Sequence, residues 1–141
     1  MMHLQLITLN GVRVDQEIYE LIAPTVDGEI AIFPGHEPLV TLAKTGALAV
    51  RYHKNDSDDK LDYFAISGGV LEVNPGAIRV LVDEADFGDD IIEAESKEAL
   101  DRAILLRSEA KDQVELDKAH QLIDRHAVRL KVAELHRRRR R

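Results

Sequence analysis

The chain has 141 residues, of which 45% are hydrophobic and 32% are charged, and it contains no Cys and no Trp. A chain of this length can build its own apolar core, as one domain or as two small ones. The lack of Cys excludes disulfides, iron–sulfur clusters, thiolate zinc sites and a thiol nucleophile. The apolar runs are far shorter than the ~18 residues that span a bilayer, so we expect a soluble or at most peripheral protein.

Composition divides the chain near residue 88. Residues 1–88 carry 14 acidic and 6 basic side chains, whereas residues 89–141 carry 12 acidic and 13 basic ones. All 8 Gly and all 4 Pro lie before residue 89. Because Gly and Pro mark turns between strands and their absence favours helix, the sequence predicts a β domain over 1–88 and a helical domain over 89–141.

Five apolar runs in the first part alternate with turn signals, a spacing typical of an antiparallel β-sandwich. They are His3–Leu9, Ile18–Ala23, Gly46–His53, Leu61–Ser67 and Ala77–Val82. The polar stretch 54–60 predicts an exposed hairpin loop, and the sequence Asn-Pro-Gly at 74–76 predicts a second hairpin.

The second part contains two predicted helix starts. Asp90 with Glu93, and Asp112 with Glu115, each place a capping acceptor three residues before a Glu, as in a capping box. Each helix carries one narrow apolar stripe. The stripes are Ile92, Ala99, Ala103, Ile104 and Leu106 in the first helix, and Leu116, Ala119, Ile123, Ala127 and Leu130 in the second.

The predicted second helix, Gln113 to about His136, would be roughly 36 Å long. A small sandwich cannot shield a helix of that length completely, so we expect a partner protein. The helical histidines His120, His126 and His136 are not spaced i,i+4 with one another, and we expect them to be solvated or at a rim.

Neither a metal site nor an active site is predicted. His36-Glu37 lacks a second His four residues later, and the flanking prolines would break the helix that a zinc-protease motif needs. Ser67-Gly68-Gly69 lacks the spacing and the Lys of a P-loop, so we interpret the glycines as letting two strands meet at a bend or bulge. The scattered acids form no recognisable catalytic set.

Five arginines, Arg137 to Arg141, end the chain. Cations at a helix carboxyl end interact favourably with the helix dipole and with any acidic surface, including nucleic acid. The acidic chain as a whole and the lack of interleaved aromatics argue against nucleic acid. A solvated tail is the alternative interpretation.

The segment Gly28 to Thr41 reads GEIAIFPGHEPLVT, a glycine, an acid and an apolar run followed by Pro-Gly-His. This segment resembles the signature of the epsilon subunit of bacterial F-type ATP synthases. The resemblance continues through Lys44 to Leu48, Phe64 to Val73 and Val80 to Asp83 into a pair of helices, and so spans essentially the whole chain.

The resemblance implies a non-catalytic subunit of the central rotor that couples rotation of the c-ring to the catalytic head during proton transport. It implies that the sandwich lies against the gamma subunit and the c-ring, with Glu29 facing the c-ring and His36 and Thr41 facing gamma. The subunit would be peripheral to the cell membrane on its cytoplasmic side. No metal, cofactor or nucleic acid is implied.

In this family the helices are either folded on the sandwich or extended into the head, where the second helix inhibits ATP hydrolysis. Arg125, Arg129 and Lys131 would then contact an acidic segment of the beta subunit, in a head that also contains alpha. We expect that replacing Arg125 and Arg129 by Glu would favour the folded state.

Some family members bind ATP through an Ile-Asp-x-x-Arg-Ala motif on the first helix together with two second-helix arginines. Here Ile92, Glu95 and Ser96 stand where Asp, Arg and Ala belong, so we expect no ATP clamp. Two alternatives stay open. The helices could be permanently folded and not inhibitory, or the chain could be a free-standing module that uses its Arg tail on nucleic acid.

Overall fold

The computed structural model describes the backbone of residues 1–139 and the side chains up to Arg138, and shows ten β-strands followed by two α-helices. The predicted class, a β-sandwich followed by a helical hairpin, is confirmed. The strands are β1 Met2–Thr8, β2 Gly11–Ile18, β3 Glu20–Thr25, β4 Gly28–Ile32, β5 Leu39–Ala43, β6 Gly46–Arg51, β7 Asp62–Ile66, β8 Gly69–Asn74, β9 Ala77–Val82 and β10 Ala85–Phe87.

The strands form two layers. One layer has the order β10-β7-β6-β3, with β4 also paired to β3, and the other has the order β5-β8-β9-β1-β2. A single residue pair, Thr25 with Ala43, joins the layers at β3 and β5. One pairing departs from the antiparallel prediction, because β1 and β9 are parallel. No short turn links these two strands, so no hairpin forces them to be antiparallel.

The core lies between the layers. Strand β1 shows the underlying pattern, since its even-numbered residues are buried and its odd-numbered ones partly exposed. Burying one face of each layer provides most of the driving force for folding, at ~25 cal/mol per Å² of apolar surface. The largest fully buried side chains of the sandwich are Leu4, Leu6, Ile18, Leu21, Ile32, Leu48, Leu71, Ile78, Val50 and Val80.

Two glycines explain local features of the second layer. Gly76 adopts a φ of 74° in the turn between β8 and β9, which confirms the hairpin predicted at residues 74–76. A Cβ on Gly69 would lie 1.9 Å from the carbonyl oxygen of Leu81, so no side chain fits between β8 and β9 at that point. The two strands therefore meet closely at Gly69, with a bend at Gly68 and a regular register without a bulge along β8 and β9.

The predicted loop at residues 54–60 connects β6 to β7 and contains a 3₁₀ turn, Asp58–Lys60. The partly buried Arg51 holds this loop in place. Its guanidinium donates to Glu20 at 2.8 Å, to the carbonyl of Asp56 at 2.6 Å and to Asp58 at 2.6 Å. Glu20 is buried, and Arg51 supplies the positive charge that this requires.

The helices are α1 Glu93–Ser108 and α2 Gln113–Arg139. The cap at Asp112 is confirmed, since its carboxylate accepts from the Glu115 amide at 2.8 Å while Glu115 accepts from the Lys111 amide at 2.8 Å. The cap at Asp90 is wrong, because Asp90 lies in a 3₁₀ turn, Gly88–Asp90, and α1 begins only at Glu93. Burial of the intervening Ile91 keeps the chain extended there.

The predicted stripe of α1 is only partly buried. Ala103 is buried, but Ile92, Ile104 and Leu106 are exposed, because α1 packs mainly on α2 and this contact is narrow. The stripe of α2 is mostly covered, with Ala119 buried and Ala127 exposed. Among the described residues, no helix is long and apolar enough to cross a membrane.

Candidate functional site

Helix α2 covers the outer face of the first layer. We call this surface, formed by Ala47, Tyr63 and Ala65 of β6 and β7, the covered face. Two buried α2 side chains, Val132 and Ala133, pack on it together with Val128 and with Ile91 from the segment before α1. The apolar part of this contact is small. Polar and charged contacts therefore contribute a substantial share of helix docking.

Two ion pairs extend the contact along α2. Arg125 Nη2 donates to Glu84 Oε1 at 2.5 Å, and Arg129 Nη1 donates to Asp86 Oδ2. Glu84 lies in the turn between β9 and β10, and Asp86 lies in β10. We call these two ion pairs the latch. The arginines that the resemblance assigned to the beta subunit thus contact the sandwich of their own chain.

This geometry affects one expectation. Replacing Arg125 and Arg129 by Glu would place like charges against Glu84 and Asp86, and so would destabilise the folded helices as well. The sequence expectation considered only the contact with an external partner. Lys131, the third residue assigned to that partner, is exposed.

The carboxyl end of α2 is fixed by a buried histidine. His136 is only 8% exposed, its Nε2 lies 3.2 Å from Asp89 Oδ1, and its ring contacts Phe87 edge-on with centroids 5.4 Å apart. A Cβ on Gly88 would lie 2.7 Å from the Cβ of His136, so the two backbones approach closely here. The prediction of a solvated or rim position is wrong for His136, whereas His120 is exposed as expected.

His126 lies beside a cluster of arginines. Partial burial, and then the positive charges of Arg125, Arg129 and Arg102, lower the pKa of His126 below its ordinary value of 6.5, with Glu84 opposing them. Its Nδ1 is buried and has no hydrogen-bond partner among the described residues. The folded helices therefore favour the neutral form of this histidine.

The outer face of the second layer is open. The strand registers align five outward-facing apolar residues across β5, β8, β9, β1 and β2, which we call the open face: Leu42, Val70, Leu81, Ile7 and Val12. Leu42 is 55% exposed and Val12 is 56% exposed. Val40, 72% exposed, stands in the next row. An exposed apolar row of this extent is typical of a protein-binding surface.

The sequence-predicted interface residues occupy three separate places. Glu29 is exposed near the start of β4, whereas His36 lies in the turn beyond its end, where its Nδ1 is 2.7 Å from the carbonyl of Glu37. Thr41 pairs with the buried Leu71, so it points inward, and its neighbours Val40 and Leu42 are the exposed ones. The structure does not bring Glu29, His36 and Thr41 together.

The positions that correspond to the ATP motif lie in different environments. Ile92 and Glu95 are exposed and Ser96 is buried, while Arg125 and Arg129 already contact carboxylates of the sandwich. Among the described residues, no group of His, Asp and Glu is arranged to hold a metal ion.

Sequence reasoning missed both surfaces. The signal for the open face was present, because β9 and β5 carry apolar residues at outward as well as inward positions of the two-residue period. The signal for the covered face was Val128 and Val132, one turn apart on α2 and beside the stripe that faces α1. No local sequence signal indicated which acids the α2 arginines would contact, since Glu84 and Arg125 are 41 residues apart.

Fold and surfaces together define a β-sandwich with a helical hairpin docked on one outer face and an exposed apolar row on the other. The family model described as the ATP synthase delta/epsilon chain β-sandwich domain matches residues 1–88. The ATP synthase epsilon chain of Herpetosiphon aurantiacus is 35% identical over 136 residues, covering 96% of each chain. That of Neisseria meningitidis serogroup C is 36% identical over 125 residues, covering 85% of this chain and 87% of the relative.

A solved structure gives the same result. A chain in the Euglena gracilis mitochondrial ATP synthase, OSCP/F1/c-ring in rotational state 1, has a TM-score of 0.79 and 26% identity, covering 96% of this chain and 81% of that one. The protein described here belongs to the ATP synthase delta/epsilon chain family, and the family resemblance seen in the sequence is confirmed. Its relatives are epsilon chains, which confirms the expectation of a non-catalytic subunit.

Proposed function

We propose that this chain is the rotor subunit that couples the c-ring of a proton-translocating ATP synthase to gamma, peripheral to the cell membrane on its cytoplasmic side. The observation that carries this proposal is the open face. A row of five apolar residues on a rigid sheet suits a permanent contact, because burying it on a partner stabilises the complex without any conformational change.

The open face is the proposed gamma-binding surface. Val40 and Leu42 flank Thr41 and are exposed. The resemblance assigns this strand to gamma, and these two residues are better placed for that contact than Thr41, which points inward. Glu29, exposed on β4 and close to the 57% exposed Val26, is the proposed contact with the polar loops of the c-ring. His36 lies in the turn beyond β4, between β4 and β5, and is proposed to contact gamma there.

The division at residue 88 is part of the same proposal. Strand β10 ends at Phe87, and the main core lies within the strands. Residues 1–88 would then be the coupling unit, and residues 89–141 the regulatory unit. In the extended state, Arg125, Arg129 and Lys131 would contact the beta subunit, within a head that also contains alpha, and inhibit ATP hydrolysis.

The direct test is co-purification with gamma. Leu42→Glu with Leu81→Glu places two charges on the open face, and we expect more than a ~100-fold loss of affinity, because charges buried without partners are strongly unfavourable. The matched control is Leu105→Glu with Leu106→Glu on α1, two leucines that are also exposed. Unchanged gamma binding by the open-face variant would contradict the proposal.

One observation favours the alternative of permanently folded, non-inhibitory helices. Two latch ion pairs, the His136–Asp89 contact and a 3.1 Å contact between Arg137 and Glu93 all hold α2 in its docked position. Deletion of residues 89–141 from the assembled enzyme distinguishes inhibitory helices from permanently folded ones. Inhibitory helices predict that hydrolysis rises on deletion, and permanently folded ones predict that it does not.

A further inference from the structure

The latch has matched spacing on its two sides. Arg125 and Arg129 are four residues apart on a helix, a rise of about 6 Å. Glu84 and Asp86 are two residues apart in extended chain, a separation of about 6.6 Å. The two ion pairs therefore form together in one register of α2 against residues 84–86, because a shift by one helical turn would leave only one arginine opposite a carboxylate.

The acidic side of the latch is held rigidly. The Glu84 amide donates to Ser67 Oγ at 2.9 Å, and the Ser67 amide donates to the Glu84 carbonyl at 3.0 Å. Asp86 lies within β10, which pairs with β7. Because the sandwich fixes the backbone of Glu84 and Asp86, docking does not have to order that backbone, and less conformational entropy is lost.

The second pair of the latch is also shielded from solvent. The side chains of Arg129 and Asp86 are 26% and 27% exposed, respectively. Ion pairs of intermediate burial are screened less by salt than fully exposed ones. Because the apolar contact around Val132 is small, the ion pairs contribute a large share of the free energy that holds α2 in its docked position.

We propose that Glu84 and Asp86 form an internal acidic receptor that holds Arg125 and Arg129 in the docked state and withholds them from any other acidic surface. A guanidinium engaged with one carboxylate cannot make the same contact with a second protein, so docking and external binding are mutually exclusive for these residues. That the external surface belongs to the beta subunit rests on the proposed function, whereas the receptor itself does not.

The test uses the full-length isolated chain. Because it contains no Cys, spin labels attach only at introduced positions, and Asn55→Cys with Glu109→Cys places them in an exposed sandwich loop and at the exposed tip of the helices. Electron–electron distance measurements then report the docked and undocked populations. We expect Glu84→Gln with Asp86→Asn to lower the docked-to-undocked ratio about tenfold.

Two controls make the result specific. Glu134→Gln breaks the 2.6 Å pair with Arg138 within α2, away from the latch, and should leave the distances unchanged. Exchanging the charges, by Glu84→Arg and Asp86→Arg together with Arg125→Glu and Arg129→Glu, should restore docking. A docked population that is insensitive to the Gln/Asn variant, or as sensitive to Glu134→Gln, would overturn the proposal.

The assembled enzyme separates this inference from the proposed function. If both hold, freeing the arginines in the Gln/Asn variant should strengthen inhibition and lower the rate of ATP hydrolysis. If the isolated chain undocks but hydrolysis does not change, the receptor is supported and the inhibitory role of the helices is contradicted.

Discussion

The two outer faces of the sandwich arise in the same way but differ in what covers them. Each is the outward side of a layer whose inward side builds the core. The covered face is formed by Ala47, Tyr63 and Ala65 and is buried by the chain's own α2. The open face carries more large aliphatic side chains, and Leu42, Leu81 and Val12 stay exposed within the described residues. The chain's own helix thus covers the face with fewer large aliphatic side chains, so less apolar surface would be exposed if the helix left it.

The largest contrast is expected from placing one charge on each face. Val132→Asp buries an unpaired carboxylate against the covered face, where Val132 is fully buried, and should cost about 3 kcal/mol and undock α2 more than 100-fold. Leu42→Asp on the open face should change the stability of the isolated chain by less than about 0.5 kcal/mol. Spin-label distances and chemical unfolding provide the measurements. Equal effects of the two substitutions would show that the faces do not differ.

Truncation after Gly88 converts the covered face into a second open one. We expect the sandwich to fold cooperatively and to bind gamma, because its core lies within the strands. Its unfolding temperature should fall by about 4 °C as Ala65 and Tyr63 become exposed, and binding of an apolar dye should increase. Calorimetry of the truncated chain is the measurement, and failure to fold would show that the helices belong to the folding unit.

Acidification is expected to undock α2 from the covered face and to leave the open face unchanged. The docked state lowers the pKa of His126 below its ordinary value of 6.5, so protonation of this group disfavours docking as the pH falls below 6.5, whereas above that value the neutral group does not oppose docking. We expect the docked-to-undocked ratio to fall on acidification through this window. The variant His126→Gln should lack this part of the pH dependence, and identical profiles for the two chains would exclude His126.

The smallest expected effect is that of ATP. With Glu95 exposed near the start of α1 and the α2 arginines bound to carboxylates, millimolar ATP should not change the docked population. Isothermal calorimetry on the isolated chain, with and without magnesium, should detect no binding. A micromolar dissociation constant would contradict this prediction and would direct attention to Lys97 and Arg102 on α1.

The sequence by itself determined that strands precede helices, the sandwich class, the hairpins and the start of α2, because Gly, Pro, alternation and capping act over a few residues. It also carried the family signature at 28–41. Only the tertiary structure decided which strand registers create the open face, that Thr41 points inward, that His136 is buried, and that Arg125 and Arg129 meet Glu84 and Asp86. Each of these depends on packing between segments distant in sequence, and no local propensity encodes which distant surfaces will meet.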